Sequence, residues 1–293
     1  MYSLEGFLNI KFFVLPMCKD MVKPFVKWAG GKRQLVNKLF ENIPSSFSNY
    51  HEPFVGGGAL YFKLWNEGLI KKAYLNDFNE HLYNLYIIIK KKPEELIEEL
   101  KSLKYKNEKS TYYKLRDRYN LKKYMDDTER AALFIYFNKT GFNGLWRVNS
   151  KDEYNVPIGR YKNPKICDGD NIRLVSEALK KAELSNNDFS LVMKYASPKD
   201  FVYFDPPYHP LSTTSNFTTY TKIDFTEKDQ IRLKEVYVAL DLKKVNVMLS
   251  NSPAPLITQL YSNYEQKLVD AKRMINCKGD KRGNISEIVA INY

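Results

Sequence analysis

Residues 51–77, HEPFVGGGALYFKLWNEGLIKKAYLND, indicate the fold class of this chain. An apolar run over 52–55 predicts a strand, the glycines after it predict a tight turn, and the apolar spacing over about 59–67 predicts a helix. A second apolar run over 73–76 predicts another strand, which is followed by an acid, Asp77. Two strands joined by a helix form a βαβ unit, so we expect a parallel sheet and an α/β fold.

The same residues predict a site for a nucleoside-type cofactor. Glycines let a ligand approach the main chain, and an acid about 20 residues further on, at the end of the second strand, holds ribose hydroxyls in nucleoside-binding α/β folds. Gly56, Gly58 and Asp77 fit this arrangement, although Leu60 and Tyr61 break the full G-x-G-x-x-G pattern. A purely structural glycine turn is the alternative. The acid after the second strand favours the nucleoside site.

A second segment, FVYFDPPY at residues 201–208, is suited to hold a planar amino group. One oxygen of the Asp205 carboxylate and the main-chain carbonyl of Pro206 can accept its two N–H bonds. Pro206 and Pro207 restrict the backbone, so these acceptors stay aimed. Tyr208 offers a ring face on which a flat heterocycle can stack. The segment predicts a pocket for the exocyclic amine of a nucleobase, and a strand that ends in a proline turn is the alternative.

The order of the remaining patterns indicates a sheet with an insertion. Residues 23–38 contain Trp28, which can stack on a purine, and Lys32, which can meet a carboxylate, before a helical pattern through residue 39. Residues 81–169 are poor in strands and rich in helical patterns, with one helix opening at Pro93 and another after a cap at 127–130. From residue 170 the α/β alternation resumes, with predicted strands at 201–204, 245–251 and 287–293, a helix that starts at Thr226 with Asp229, and a loop at 277–285.

The segment at 138–162 has the composition of a DNA-reading loop. Amides, arginines and aromatics alternate with glycine there. In the major groove Arg reads guanine and Asn reads adenine, and Phe142 or Leu145 could wedge into a base stack. A glycine-rich hairpin whose aromatic side chains simply pack is the alternative, and the segment alone does not separate the two.

Composition limits the classes of protein and of partner. The 293 residues carry a formal net charge of +12, so the surface attracts polyanions, chiefly nucleic acid, although a Lys-rich proteome would also give this excess. The three cysteines lie far apart in the sequence, and the three histidines form no ligand cluster. This pattern predicts no metal site and no disulfides, and it favours a reducing cytoplasm as the location. No apolar run approaches the roughly 20 residues that span a bilayer. We expect residues 1–20 to be a poorly ordered extension, or to result from an upstream start codon that is little used.

Five spaced blocks together resemble the Dam-type DNA adenine-N6 methyltransferases, of the D12 class, group alpha. The blocks are KWAGGK at 27–32, FVGGGAL at 54–60, NGLWR at 143–147, NVP at 155–157 with GRY at 159–161, and DPPY at 205–208. Within that family the chain looks most like the members paired with GATC restriction systems. The resemblance implies S-adenosylmethionine as methyl donor, no metal, double-stranded DNA as partner, and a GATC target. It implies no obligate protein partner, but a cognate restriction endonuclease that acts on the same site.

The resemblance also implies roles for individual residues. Asp205, Pro206, Pro207 and Tyr208 would form the catalytic segment. The donor site would consist of the following residues: Trp28, Lys32, Phe54, Gly56, Gly58, Asp77 and Asp205. Contacts to the target sequence would come from the following residues: Phe142, Asn143, Leu145, Arg147, Pro157 and Arg160. Phe142 stands where relatives often have tyrosine, so a wedge role survives there but a hydroxyl contact does not.

We therefore expect a Rossmann-like methyltransferase sheet with an inserted, mainly helical target-recognition domain. The catalytic α/β domain would be formed by 21–80 and 170–293, and the insert by 81–169. Three rival functions are a nicotinamide dehydrogenase, a methyltransferase acting on RNA or protein, and a DNA-binding module without catalysis. The first leaves DPPY and the basic insert unexplained, the Asn/Arg loop argues against the second, and the intact Asp205 argues against the third.

Overall fold

The computed structural model describes residues 21–28, 30–102, 104–211, 225–272 and 284–293. The predicted extension at 1–20 and most of the predicted loop at 277–285 lie outside these ranges. Among the helices of the described residues, none combines the length and the apolar character that crossing a membrane requires.

Within the described residues, a seven-stranded sheet in the order β3-β2-β1-β4-β5-β7-β6 forms the centre of the fold. The strands from β3 to β5 in this order pair in parallel, and β7 pairs antiparallel with β5 and with β6. This sheet confirms the Rossmann-like methyltransferase fold expected from the sequence. The strands are β1 (Tyr50–Glu52), β2 (Ala73–Asn76), β3 (Ala182–Ser185), β4 (Phe201–Phe204), β5 (Asn246–Asn251), β6 (Glu265–Lys272) and β7 (Asn284–Ile291).

Ten α-helices occur in the described residues, and several begin where the sequence predicts. Pro93 occupies the first turn of α4, where its missing N–H is tolerated. A reciprocal capping box between Thr226 and Asp229 starts α9. The helices are α1 (Val36–Phe40), α2 (Ala59–Asn66), α3 (Glu80–Lys91), α4 (Pro93–Lys101), α5 (Lys109–Asn120), α6 (Asp127–Thr140), α7 (Gly169–Leu179), α8 (Val192–Tyr195), α9 (Glu227–Leu242) and α10 (Pro255–Leu260).

Some predicted boundaries are wrong. The first strand covers 50–52 rather than 52–55, because Pro53 has no N–H to give to a parallel ladder. The cap of α6 is Asp126 rather than a residue within 127–130, and its carboxylate accepts the N–H of Glu129 at 2.8 Å. The last strand begins at Asn284 and ends at Ile291, so residues 284 and 285 lie in a strand and not in the predicted loop. The strand predicted from residue 245 begins at residue 246.

Two strands were not predicted. Strand β3 is four residues long with only Ala182 buried, and β6 is an edge strand of mixed polarity, EQKLVDAK. Neither shows the apolar run or strict alternation by which a strand is recognised in sequence. Each takes its conformation from pairing with a neighbour, β3 with β2 and β6 with β7.

The helices after β2 are joined to the sheet by a continuous apolar core. Helix α3 packs against α6 and also against α7 and β3. One buried cluster includes Leu75 of β2, Phe201 of β4 and Phe134 of α6. Trp146, which the sequence left without a role, is buried and stacks on Phe134 with 3.9 Å between ring centroids. This packing fixes the segment after α6 relative to the carboxyl ends of the strands.

Candidate active site

A cavity of about 380 Å³ lies at the carboxyl ends of β1, β2 and β4. Strands β1 and β4 are neighbours at the point where the strand order reverses, which is where open α/β sheets bind ligands. The structure thus brings together segments that lie far apart in the sequence. The predicted site residues that line the cavity are Trp28, Lys32, Phe54, Gly56, Gly58, Asp77, Asn143, Leu145, Asp205, Pro206 and Pro207. The predicted site residues outside its lining are Tyr208, Phe142, Arg147, Pro157 and Arg160.

The glycine turn between β1 and α2 packs closely against two aromatic side chains. Gly56 and Gly58 have φ values of +48° and +67°. A Cβ atom on Gly56 would lie 2.6 Å from Cδ1 of Trp28, and one on Gly58 would lie 2.8 Å from the Tyr86 hydroxyl. Tyr86 also donates to the carbonyl of Gly56 at 3.0 Å. Because only glycine fits both positions, the main chain itself forms this part of the cavity wall.

Asp77, which follows β2, is held in one orientation by two main-chain donors. Its Oδ2 atom accepts the N–H of Gly56 at 2.9 Å, and its Oδ1 atom accepts the N–H of Asn79 at 2.9 Å. Burial raises the pKa of Asp77 to about 6, although both hydrogen bonds act to lower it. Each carboxylate oxygen keeps a further lone pair, so Asp77 can also accept hydroxyl hydrogens from a ligand.

Asp205, which follows β4, forms a buried ion pair with Lys32. The Lys32 Nζ atom lies 2.8 Å from Oδ1 of Asp205 and donates to the carbonyl of Gly30 at 2.8 Å. Burial is the main cause that raises the pKa of Asp205 to about 6, and Lys32 opposes it. The Asp205 side chain remains 18% exposed, whereas Lys32 is 4% exposed. The carboxylate is therefore paired and still open to the cavity that it lines.

The two proline carbonyls after Asp205 have different surroundings. Gln230 on α9 donates to the carbonyl of Pro207 at 2.9 Å, and Asn251 at the end of β5 donates to the Gln230 side chain at 3.0 Å. Asn251 also accepts the N–H of His209 at 3.1 Å. Within the part of the chain that the structure describes, no group donates to the carbonyl of Pro206. The loop is thus tied at residues 207 and 209, and the Pro206 carbonyl remains an acceptor for a ligand.

Tyr208 is held from two sides. Its hydroxyl donates to Oε2 of Glu287 on β7 at 2.5 Å, and the Lys32 ammonium lies 4.5 Å from the centroid of its ring. Lys32 therefore covers one face of the ring. The stacking role predicted for Tyr208 requires the opposite face or a movement of Lys32.

The sequence interpretation missed a group of side chains in the cavity wall. Arg232 on α9 donates to both carboxylate oxygens of Asp188 at 2.8 and 2.9 Å, and its guanidinium lies 4.2 Å from the centroid of the Phe189 ring. Although burial acts to raise it, hydrogen bonds from Arg232 and Ser190 lower the pKa of Asp188 to about 2. An acid and an aromatic that closely follow a strand would have been the signal, but β3 itself was not recognised.

Aromatic rings and a buried acid complete the wall. Phe54 stacks on Phe189 with 5.4 Å between centroids and meets Phe225 edge-on at 5.7 Å. Glu52, at the end of β1, is buried and accepts the hydroxyl of Tyr50 at 2.9 Å. Burial raises the pKa of Glu52 well above its usual range. The cavity therefore joins an apolar surface, suited to a flat ring, to carboxylates, suited to hydroxyls or a cation.

The segment at 141–161 borders this cavity. Two antiparallel bridges, Gly141 with Ile158 and Val148 with Tyr154, fold it back on itself. The packing of its aromatic side chains differs from residue to residue, and the wedge role stays a prediction. The aromatic Trp146 packs inside, as a simple hairpin predicts, whereas Phe142 is 43% exposed, as a wedge requires.

The predicted base-reading residues lie along the same segment. Asn143 and Leu145 line the cavity, whereas Pro157 and Arg160 are exposed on the protein surface. Arg147 donates through Nε to the Asn155 side chain at 2.7 Å, and its outer guanidinium nitrogens donate to none of the described residues.

One group of described side chains has the composition of a metal site. Glu80, His81 and Asp152 place possible ligand atoms within 4.8 Å of one another, away from the cavity. Arg130 donates to Glu80 at 2.7 Å and to Nδ1 of His81 at 3.1 Å, so a guanidinium already occupies part of this group. The sequence-based expectation that the protein uses no metal stays a prediction.

Comparison with known proteins identifies the family to which this chain is similar. A family profile described as D12 class N6 adenine-specific DNA methyltransferase matches residues 28–275. The Type II methyltransferase M.MjaIII of Methanocaldococcus jannaschii is 48% identical in an alignment of 287 residues, and the match covers 93% of this chain and 99% of that protein. The Type II methyltransferase M1.LlaDCHI of Lactococcus lactis subsp. cremoris is 46% identical and covers 94% and 97%. The DNA adenine methylase of Escherichia coli K12 is 33% identical and covers 92% and 95%.

Proposed function

We propose that this chain, which belongs to the D12 class of N6 adenine-specific DNA methyltransferases, methylates the adenine of GATC in double-stranded DNA. The observation that carries the catalytic part is the position of Asp205 and the Pro206 carbonyl on the same cavity as Asp77. The target sequence rests on the likeness of the loop 143–161 to the Dam-type pattern. Membership in the family sets aside the dehydrogenase, the RNA or protein methyltransferase and the inactive DNA-binding module.

The cavity fits S-adenosylmethionine, which is implied by the family. This donor supplies a methyl group made electrophilic by a sulfonium. Asp77 is placed to accept its ribose hydroxyls, and the glycine turn, which no larger residue could replace, lets the main chain approach its methionine part. The rings of Phe54 and Phe189 offer an apolar surface for its adenine. Carboxylates along the wall favour the positive charge at its centre.

Two fixed oxygens make the adenine amine a better nucleophile. Its nitrogen lone pair is delocalised into the ring, and N–H bonds to Asp205 and to the Pro206 carbonyl favour a tetrahedral nitrogen with the lone pair available. The N–CH₃ bond forms as the S–CH₃ bond breaks, and positioning supplies most of the acceleration. The nitrogen then loses one proton. Asp205, whose pKa is raised to about 6 by burial, can take it, and water after the transfer is equally suitable.

The target adenine must leave the duplex to reach Asp205, at a cost of a few kcal/mol in unstacking and unpairing. We assign the wedge to the exposed Phe142 and sequence reading to Asn143, Leu145, Arg147, Pro157 and Arg160. The helical insert at 81–169 carries this loop and would act as the target-recognition domain. Stacking on Tyr208 would offset part of the cost, about 1–3 kcal/mol.

One experiment tests target and catalytic residue together. The purified protein is incubated with plasmid and labelled S-adenosylmethionine, and the DNA is then cut with endonucleases that differ in sensitivity to methyladenine in GATC. We expect label in the DNA and protection of GATC sites, and no label with Asp205→Ala although that variant stays folded at the assay temperature. Methylation mapped to another sequence would refute GATC. Near-normal turnover by the variant would refute the amine pocket.

The two relatives named Type II methyltransferases suggest a biological setting. We propose that the protein acts in the cytoplasm as the protective half of a restriction system, beside an endonuclease that cuts the same sequence. Loss of the methyltransferase gene should then be lethal in the native host unless the endonuclease gene is also removed. Viability of the single deletion would refute this setting and would leave the methylation activity itself untouched.

A further inference from the structure

Glu287 is a buried carboxylate beside the catalytic segment, and the mechanism above gives it no task. It lies on β7, next to the end of the chain, with 12% of its side chain exposed. Its Oε2 atom accepts the Tyr208 hydroxyl at 2.5 Å and lies 3.7 Å from the Lys32 ammonium. The same ammonium lies 2.8 Å from Asp205. Two carboxylates therefore compete for one buried cation.

The arrangement presents a difficulty for binding of the target base. Lys32 lies both on Asp205 and over the ring of Tyr208, which are the two groups that the adenine would contact. Lys32 is 4% exposed, and leaving a buried ammonium unpaired is strongly unfavourable. Lys32 can therefore release Asp205 only if another acceptor lies within reach. A movement of about 1 Å would bring the 3.7 Å separation from Glu287 to the length of a charge-assisted hydrogen bond.

We infer that Glu287 is a positioning residue for methyl transfer: its carboxylate, anchored by the Tyr208 hydroxyl, takes over the Lys32 ammonium when the adenine amine occupies Asp205. The inference rests on the proposed role of Asp205 as acceptor of that amine. The cluster of Lys32, Asp205, Tyr208 and Glu287 then has two states. Lys32 is shared by Asp205 and Glu287 before the base arrives, and it is held by Glu287 afterwards.

The charges around Asp205 agree with this exchange. The titratable groups that face it are Lys32, Tyr50 and Glu52 of β1, Tyr203 of β4, Tyr208 and Glu287. Burial raises the pKa values of the three tyrosines and of Glu52, which favours their uncharged forms. Lys32 and Glu287 act on Asp205 in opposite directions: the ammonium lowers its pKa and Glu287 raises it.

The test uses Glu287→Gln, which keeps an acceptor for Tyr208 but removes the charge that Lys32 needs. Glu265→Gln is the matched control, because it removes the same charge from the exposed edge strand β6. We expect Glu287→Gln to lower kcat roughly tenfold, within the usual coupling of residues in one network. The KM for the donor should stay the same. The acid limb of the pH profile should move to lower pH, because Asp205 loses a neighbour that raises its pKa.

Repeating the Glu287→Gln substitution in a Lys32→Met variant distinguishes a positioning role of Glu287 from a purely structural one. In Lys32→Met no ammonium covers Asp205, so adding Glu287→Gln should have no further effect on kcat. Equal losses in both backgrounds would overturn the inference, as would a kcat for Glu287→Gln within twofold of the Glu265→Gln control. A loss accompanied by an unmoved acid limb would overturn it as well.

Binding without turnover gives an independent readout. Affinity is measured, with no donor present, for target duplexes that carry adenine or unsubstituted purine, which lacks the amine, at the methylated position. The pairing energy of each base is common to all variants and cancels between them. The wild type should prefer adenine more than Glu287→Gln does, and equal preferences would refute the exchange. If instead Asp205→Ala methylates normally, the proposed function fails first; if it is inactive while Glu287→Gln matches wild type, only this inference fails.

Discussion

Replacing Asp205 by asparagine should make the protein more stable and inactive at the same time. Burial raises the pKa of this carboxyl from 3.8 to about 6, so folding must keep a poorly solvated charge at neutral pH. At about 1.36 kcal/mol per pH unit, the difference corresponds to about 3 kcal/mol of unfolding free energy. Asparagine has the shape of the protonated acid and still offers an oxygen to Lys32, so it avoids this penalty.

The stability that Asp205→Asn gains over the wild type should increase with pH. A carboxyl whose pKa is raised on folding destabilises the folded state, and the penalty grows as the pH rises from 3.8 to about 6 and is complete above that. The advantage of Asp205→Asn should therefore be about 3 kcal/mol at pH 8 and roughly half of that at pH 5. For a chain of this size 3 kcal/mol raises the unfolding temperature by roughly 6 °C.

Thermal unfolding of wild type and variant at pH 5 and pH 8 measures this effect, and methyl transfer to plasmid measures activity. Asp188→Asn is the control with the opposite sign, because hydrogen bonds from Arg232 and Ser190, acting against burial, lower the pKa of Asp188 to about 2. That variant should lose stability at both pH values. An Asp205→Asn variant that is less stable than wild type at pH 8, or whose advantage does not change with pH, would refute the reasoning. The activity should fall at least about 100-fold if the carboxylate orients the amine.

Three further variants test other parts of the site. Asp77→Ala should weaken donor binding as measured by calorimetry, and an unchanged dissociation constant would exclude the ribose role. The affinity of the wild type for the donor should also fall as the pH drops through about 6, because the buried Asp77 protonates there. Gly56→Ala should abolish donor binding because its Cβ would lie 2.6 Å from Cδ1 of Trp28, whereas Gly68→Ala, with positive φ and open space, should keep it; equal affinities would contradict the close-approach argument. Arg147→Ala should reduce discrimination at one base of the target by about 1–3 kcal/mol, and an identical methylation pattern by sequencing would remove it from the reader.

The fold class could be predicted because its signals are local. The βαβ unit at 50–76 is encoded by apolar runs on either side of a glycine turn, and two of its three elements lie where the patterns place them. The first strand was misplaced because Pro53 was counted inside it. Strands β3 and β6 could not be predicted, because their conformation depends on pairing with strands distant in sequence.

The acids of the site could be named from the sequence, but their surroundings could not. Asp77 and Asp205 each follow an apolar run, and this signal lies in the neighbouring residues. Asp188 with Arg232, and Glu287 with Tyr208 and Lys32, become neighbours only in the folded chain. Those contacts determine which carboxylates titrate near neutral pH and which are held ionised.

The sequence alone determined which residue types can serve the expected chemistry: the predicted acceptors for an amine, the predicted glycine turn for a nucleoside and the predicted arginines and amides for DNA. Tertiary structure alone decided the electrostatics of the site. The order of strands in the sheet places Lys32 from the start of the domain between Asp205 and Glu287 from its end. Charge interactions depend on distance and burial rather than on sequence separation, so no local pattern could have predicted that cluster.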